Sequence, residues 1–132
     1  MIVVDTSVLV DFFRGSHTAA GERLRQIEMD QIPFAIPGIC CQELLAGARD
    51  EKEWRLLYSY LETQNILWPI DPWATHSEAA RIMFDCRARG LSVRGSIDCL
   101  IAQLTLDHDG TLLHSDKDFN SIALVRPLRM PA

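Results

Sequence analysis

The 132-residue chain is poor in lysine: only Lys52 and Lys117 stand beside 11 arginines, and the formal net charge is −5. That balance argues against broad electrostatic binding of nucleic acid, which needs clustered positive charge. The basic charge that is present gathers: Arg81, Arg87, Arg89 and Arg94 crowd one stretch. They read either as forked phosphate contacts, which arginine suits better than lysine, or as an ordinary solvated helix face. No apolar run approaches the ~20 residues of a membrane helix. No basic region leads into an apolar core at the N-terminus, so no secretory signal is expected. A C-x-x-C pair is also missing: Cys40 and Cys41 are adjacent, while Cys86 and Cys99 are isolated. A disulfide framework or a zinc site is therefore not expected, and the thiols read as small buried hydrophobes in a reducing compartment, the cytoplasm. Repeats, low-complexity segments and linkers are absent too, so residues 1–132 read as one domain. Its 48% hydrophobic content is enough for a real core.

Apolar runs and turn residues alternate along the chain. Ile2 to Val4, Phe34 to Ile36, Ile66 to Trp68, Thr111 to His114 and Ala123 to Val125 read as short buried strands. Helical patterns fill the gaps. One is capped by Asp5, Thr6 or Ser7 and closed at Gly15. A second starts at Thr18, and a third carries Ile39, Leu44 and Leu45. A fourth has Trp54, Leu57, Leu61 and Tyr58 inward. Pro72 opens a long fifth that Gly90 ends. A sixth, capped by Ser96, turns Ile97, Leu100, Ile101 and Leu104 inward. Strands alternating with helices predict an α/β fold with a mainly parallel sheet covered on both faces.

The acids fall where such a fold concentrates chemistry. Asp5 ends the first apolar run, and Asp116 closely follows the Thr111-Leu112-Leu113 run. Parallel strands deliver their C-terminal ends to one crevice. Glu43 lies amid Cys40, Cys41, Leu44 and Leu45; Asp98 lies amid Ile97, Cys99, Leu100 and Ile101. A carboxylate beside a buried stripe needs a partner. Four carboxylates in one crevice repel one another unless a divalent cation neutralises them. Each acid also has an ordinary explanation taken alone: Asp5 as a helix cap, Glu43 as an exposed residue, Asp98 as a first-turn anion favoured by the helix dipole, Asp116 and Asp118 as turn residues. The set points to metal-dependent hydrolysis of phosphodiesters.

Four segments together resemble a known family. Met1-Ile-Val-Val-Asp-Thr-Ser-Val-Leu-Val-Asp-Phe-Phe-Arg-Gly15 is similar to the opening of a PIN-domain ribonuclease of the VapC toxin type. Glu43-Leu-Leu-Ala-Gly-Ala-Arg49, Asp98-Cys-Leu-Ile-Ala102 and Leu112-Leu-His-Ser-Asp-Lys-Asp-Phe119 resemble its second, third and fourth motifs. The resemblance covers nearly the whole chain, in order. It implies a PIN-like sheet of strand order 3-2-1-4-5 with helices on both faces. It also implies a magnesium or manganese site and in-line cleavage of RNA to a 5′-phosphate and a 3′-hydroxyl. By position it assigns the four family acids to Asp5, Glu43, Asp98 and Asp116, with Asp5, Asp98 and Asp116 as metal ligands and Glu43 holding or deprotonating the attacking water. Ser7 falls on the family's hydroxyl beside the first acid, and Asp118 on a frequent extra acid. His114 departs from the Thr or Ser common at its place. It reads as a strand-end residue bonded to a neighbour, or as a pH-dependent charge near the metal.

The resemblance further implies a homodimer and a cognate VapB-type antitoxin, whose C-terminal arm wraps the toxin and can push an arginine into the acidic site. Phe12, Phe13, Leu45, Trp54 and Tyr58 are apolar candidates for that groove or for the core. Other classes fit less well. A haloacid-dehalogenase-like phosphatase needs a second Asp two residues after the first, where Ser7 stands. A phospho-receiver switch, with Asp71 as acceptor, needs paired acids after strand one. A catalytically silent PIN scaffold is the remaining alternative, against which all four acids are present.

Overall fold

A computed structural model describes residues 1–131; Ala132, the last residue of the expected domain, lies outside the described residues. Four short parallel strands form one sheet: β1 (Ile2–Val4), β2 (Phe34–Pro37), β3 (Asn65–Leu67) and β4 (Thr111–Leu113), in the order β3-β2-β1-β4. β1 is central, with Ile2 opposite Phe34 on one side and Thr111 on the other. Val3, Val4, Ala35, Ile36 and Leu112 are fully buried, as expected of strands covered on both faces. The first four strands thus take the expected order.

Seven helices flank the sheet: α1 (Thr6–Arg14), α2 (Ala19–Met29), α3 (Gly38–Ala46), α4 (Glu51–Glu62), α5 (Pro72–Ala88), α6 (Ser96–Asp107) and α7 (Asp118–Ile122). They pack as two separate groups: α1 with α2 and α3, and α3 with α4, in one; α5 with α6 and α7 in the other. Local chemistry sets their ends. Asp5 caps α1, and Gly15 closes it in the left-handed region at φ 67°. Asp71 caps α5 with Pro72 at its start.

The fifth expected strand does not form. Phe119 and Ile122, both fully buried, drive Asp118–Ile122 into the short helix α7 instead. The backbone N–H groups of Ala123, Leu124 and Val125 then donate to Phe119, Ser121 and Ile122 carbonyls. Those donors are consumed in turns and cannot join a ladder. Beside β4 lies a single parallel bridge from Thr111 to Arg129, with the Leu112 N–H on Arg129 O at 2.8 Å.

Smaller corrections concern side chains and ends. Trp54 and Tyr58 do not face inward; they are exposed and stack on one another with ring centroids 5.1 Å apart, while Leu57 and Leu61 are buried. β3 ends at Leu67, and Trp68 is exposed. Gly95, not Ser96, is the cap of α6, and Ile97 is exposed. None of the described helices is long and apolar enough to cross a membrane.

Candidate active site

Asp5 leaves β1 and caps α1 with the same carboxylate. Its Oδ2 accepts the Ser7 N–H at 3.0 Å and the Ser7 hydroxyl at 2.6 Å. Ser7 Oγ in turn accepts the Ser115 N–H at 2.9 Å, and the Asp5 N–H donates to Leu113 O at 3.0 Å. These bonds tie the exit of β1 to the exit of β4, which is why two acids 111 positions apart in sequence, Asp5 and Asp116, share one end of the sheet. The second oxygen of Asp5 faces the Cys40 thiol at 3.9 Å. Burial, with the charges of Asp5 and Glu43 adding, pushes that thiol well above its ordinary pKa.

Glu43 is tied to Thr6, the residue after Asp5. α3 carries it, and its Oε1 accepts the Thr6 hydroxyl at 2.7 Å. It opens onto a groove of about 480 Å³ lined also by Val10, Phe13, Arg14, Leu44 and Arg49. Thr6 was readable in the sequence only as a capping candidate; its bond to Glu43 spans 37 positions and appears only on folding.

The tightest gathering lies beyond Asp5. Asp98, in the first turn of α6, meets Asp116 and Asp118 so closely that one oxygen of each lies within 4.8 Å of the others. Burial pushes Asp98 up to about 7 from 3.8, and the charges of Asp116, Asp5 and Asp118 push the same way. A raised carboxylate of this kind is one that a nearby cation would return to its ionised form. Three convergent carboxylate oxygens are the donor set of a hard divalent ion, so the residues fit magnesium or manganese. The sequence reading placed Asp118 in support; the structure puts it inside this cluster, while Asp5 stands beside it and acts on Asp98 through its charge.

Arg94, one of the four arginines crowded together in the sequence, completes the site. From the loop between α5 and α6 its Nη2 donates to both Asp116 oxygens, at 2.9 and 3.0 Å, and its Nε donates to Asp118 Oδ2 at 3.2 Å. Its own backbone N–H reaches the same Asp118 oxygen at 3.2 Å. Burial raises Asp118, but these Arg94 bonds outweigh it and hold the carboxyl below its ordinary range. The only hint in the sequence was the crowding of arginines, which could not say which one turned inward.

His114 is a strand-end residue bonded to its neighbours. Its Nδ1 accepts the Asp116 N–H at 3.2 Å, its Nε2 lies 2.9 Å from Met130 Sδ, and its ring rests on Phe119. The bond to Asp116 requires Nδ1 unprotonated. Burial likewise lowers the histidine's pKa, outweighing the charge of Asp5. Asp71 is exposed and caps α5 by accepting the Ala74 N–H at 3.1 Å, which leaves it in a structural post.

The chain is similar to known proteins along nearly its whole length. The family model described as PIN domain matches residues 2–125. VapC ribonuclease Mb1587 of Mycobacterium bovis is 32% identical over 132 residues, covering 98% of this chain and 96% of that protein. Ribonuclease VapC11 of Mycobacterium tuberculosis matches to the same extent, 32% over 132 residues with 98% and 96% covered. Among solved structures, VapBC-1 from nontypeable Haemophilus influenzae superposes with a TM-score of 0.74 at 21% identity, covering 99% of this chain and 97% of that one. With a family model spanning nearly all of its length and relatives matched end to end, the chain belongs to the PIN-domain family and, within it, to the VapC-type proteins.

Proposed function

We propose that this protein is a metal-dependent endoribonuclease toxin, restrained by a VapB-type antitoxin. The observation that carries the reading is the meeting of Asp98, Asp116 and Asp118 beside Asp5, with Asp98 pushed up to about 7 by burial and by its acidic neighbours. Such a cluster suits a cation and, through it, a phosphodiester. Asp5, Asp98 and Asp116 would hold Mg2+ or Mn2+, with Asp118, the third acid of the observed cluster, gripped by Arg94 and lending its charge. When bound, the ion supplies a lowered water pKa and offsets charge developing on the phosphate. Glu43, held by Thr6, would orient a water and accept its proton. Ser7 fixes the Asp5 carboxylate. In-line attack leaves a 5′-phosphate and a 3′-hydroxyl. An RNA substrate and four free cysteines support the cytoplasm as its compartment. The groove beside Glu43, lined by Val10, Phe13 and Leu44, suits an antitoxin arm, and a homodimer is the expected state of the toxin.

The test is to sequence RNA 5′ ends after brief expression and to repeat the cleavage with purified protein. The native chain should give a defined set of new ends, with Mg2+ required and EDTA abolishing them. Asp5→Asn and Asp98→Asn should lose cleavage by ~100-fold or more while keeping the native circular dichroism spectrum. Full activity in EDTA, or in either variant, would refute the reading.

A further inference from the structure

Arg94 is the only basic side chain among the described residues that pairs with any of the five site acids; no ion pair joins Asp5, Glu43 or Asp98 to a base. The two ends of the contact differ sharply. The side chain of Asp118 is 4% exposed, whereas that of Arg94 is 69% exposed. Asp118 is thus a buried anchor, and the guanidinium it grips stands at the mouth of the site. Only one edge of the fork is used. Nε and Nη2 face the acids, and Nη1 has no hydrogen-bond partner among the described residues.

We infer that Arg94 contacts a phosphate of the bound RNA through its Nη1 end, held in place for that purpose by Asp118. This rests on the nuclease reading and names the side chain that admits a polyanion to an acidic site. Five carboxylates repel phosphate, and a net charge of −5 offers no general attraction. A fixed arginine with a free donor end reverses the local sign where RNA enters. Arginine fits this task because its planar fork can bind a carboxylate on one edge and a phosphate on the other, which the point charge of lysine cannot do. Three bonds to two acids remove most of the side-chain freedom that a phosphate contact would otherwise have to freeze out.

The experiment measures binding of a single-stranded mixed-sequence oligoribonucleotide in EDTA, where no cleavage occurs, across a range of salt. Arg94→Ala should bind ~10-fold more weakly at low salt, the loss of one charge-assisted contact. The slope of log affinity against log salt should flatten by about 0.7, the value for one single-strand phosphate. Arg94→Lys should keep the native slope while binding more weakly, because charge is retained and the grip on Asp118 is lost. It also serves as the test if the alanine variant folds poorly. Calorimetric Mn2+ titration of the same variants reads the alternative. If Mn2+ affinity shifts while RNA affinity and salt slope stay native, Arg94 is a counter-ion for Asp116 only, and the inference fails. That failure leaves metal-dependent cleavage by the native protein intact. Absence of cleavage by the native protein would remove the nuclease reading and this inference together.

Discussion

Asp98 shows how one residue couples charge to stability. Its proton is held more tightly in the folded chain, up to about 7, than at the ordinary 3.8. Between those values the folded state binds more protons than the unfolded state, so stability falls as pH rises. The contribution is complete below about pH 4 and is gone once pH passes the folded value. His114 runs the other way: with its folded pKa lowered, it withdraws stability as pH falls beneath its ordinary 6.5. A comparison that changes only Asp98 isolates the first effect. In EDTA, Asp98→Asn should melt close to the native protein at pH 4, and the native protein should fall progressively below it by pH 8. Added Mg2+ should raise the native melting temperature more at pH 8 than at pH 5, because a protonated Asp98 must lose its proton to ligate. Thermal melts at both pH values check this; a gap that does not widen with pH would mean that Asp98 is not strained by its neighbours.

At the scale of elements, the fourth motif depends on α7. Asp118 begins this five-residue helix, and the fully buried Phe119 plugs it into the core against the His114 ring. Phe119→Ala should therefore cost ~3–5 kcal/mol in urea unfolding. Any folded remainder should show weakened Mn2+ binding, since Asp116 and Asp118 lie just before the plug in the chain. The sequence foretold the acids here but not the helix. Phe119 and Ile122 are three apart, a helical spacing, yet Ala123-Leu124-Val125 immediately after reads as strand by composition. The deciding fact is that the N–H groups of that run are already bonded to the preceding turn, which no propensity reveals. Trp54 and Tyr58 misled for a related reason: they share a helix with Leu57 and Leu61 but stack on the outside. The acids themselves were legible because strand ends and helix starts are local signals. Arg94 was not, because its partners lie 22 and 24 positions away and only the packing of α6 and α7 brings them together.

For the whole molecule, the strand order decides when the site exists. β1 lies between β2 and β4, and the β4 side is joined to it by pairing, by the Asp5–Leu113 bond and by the Ser7–Ser115 bond. A chain stopped at Gly110 retains Asp5, Glu43 and Asp98 but leaves one edge of the central strand bare and the core without Leu112, Leu113, Phe119 and Ile122. Such a truncation should show no cooperative thermal transition and no RNA cleavage, measured by circular dichroism and gel assay; a cooperative melt would mean that β4 is dispensable. On the ribosome the same order acts as a timer. Asp116 and Asp118 are synthesised after Asp5, Glu43 and Asp98, so an emerging chain has no complete centre until β4 docks beside β1.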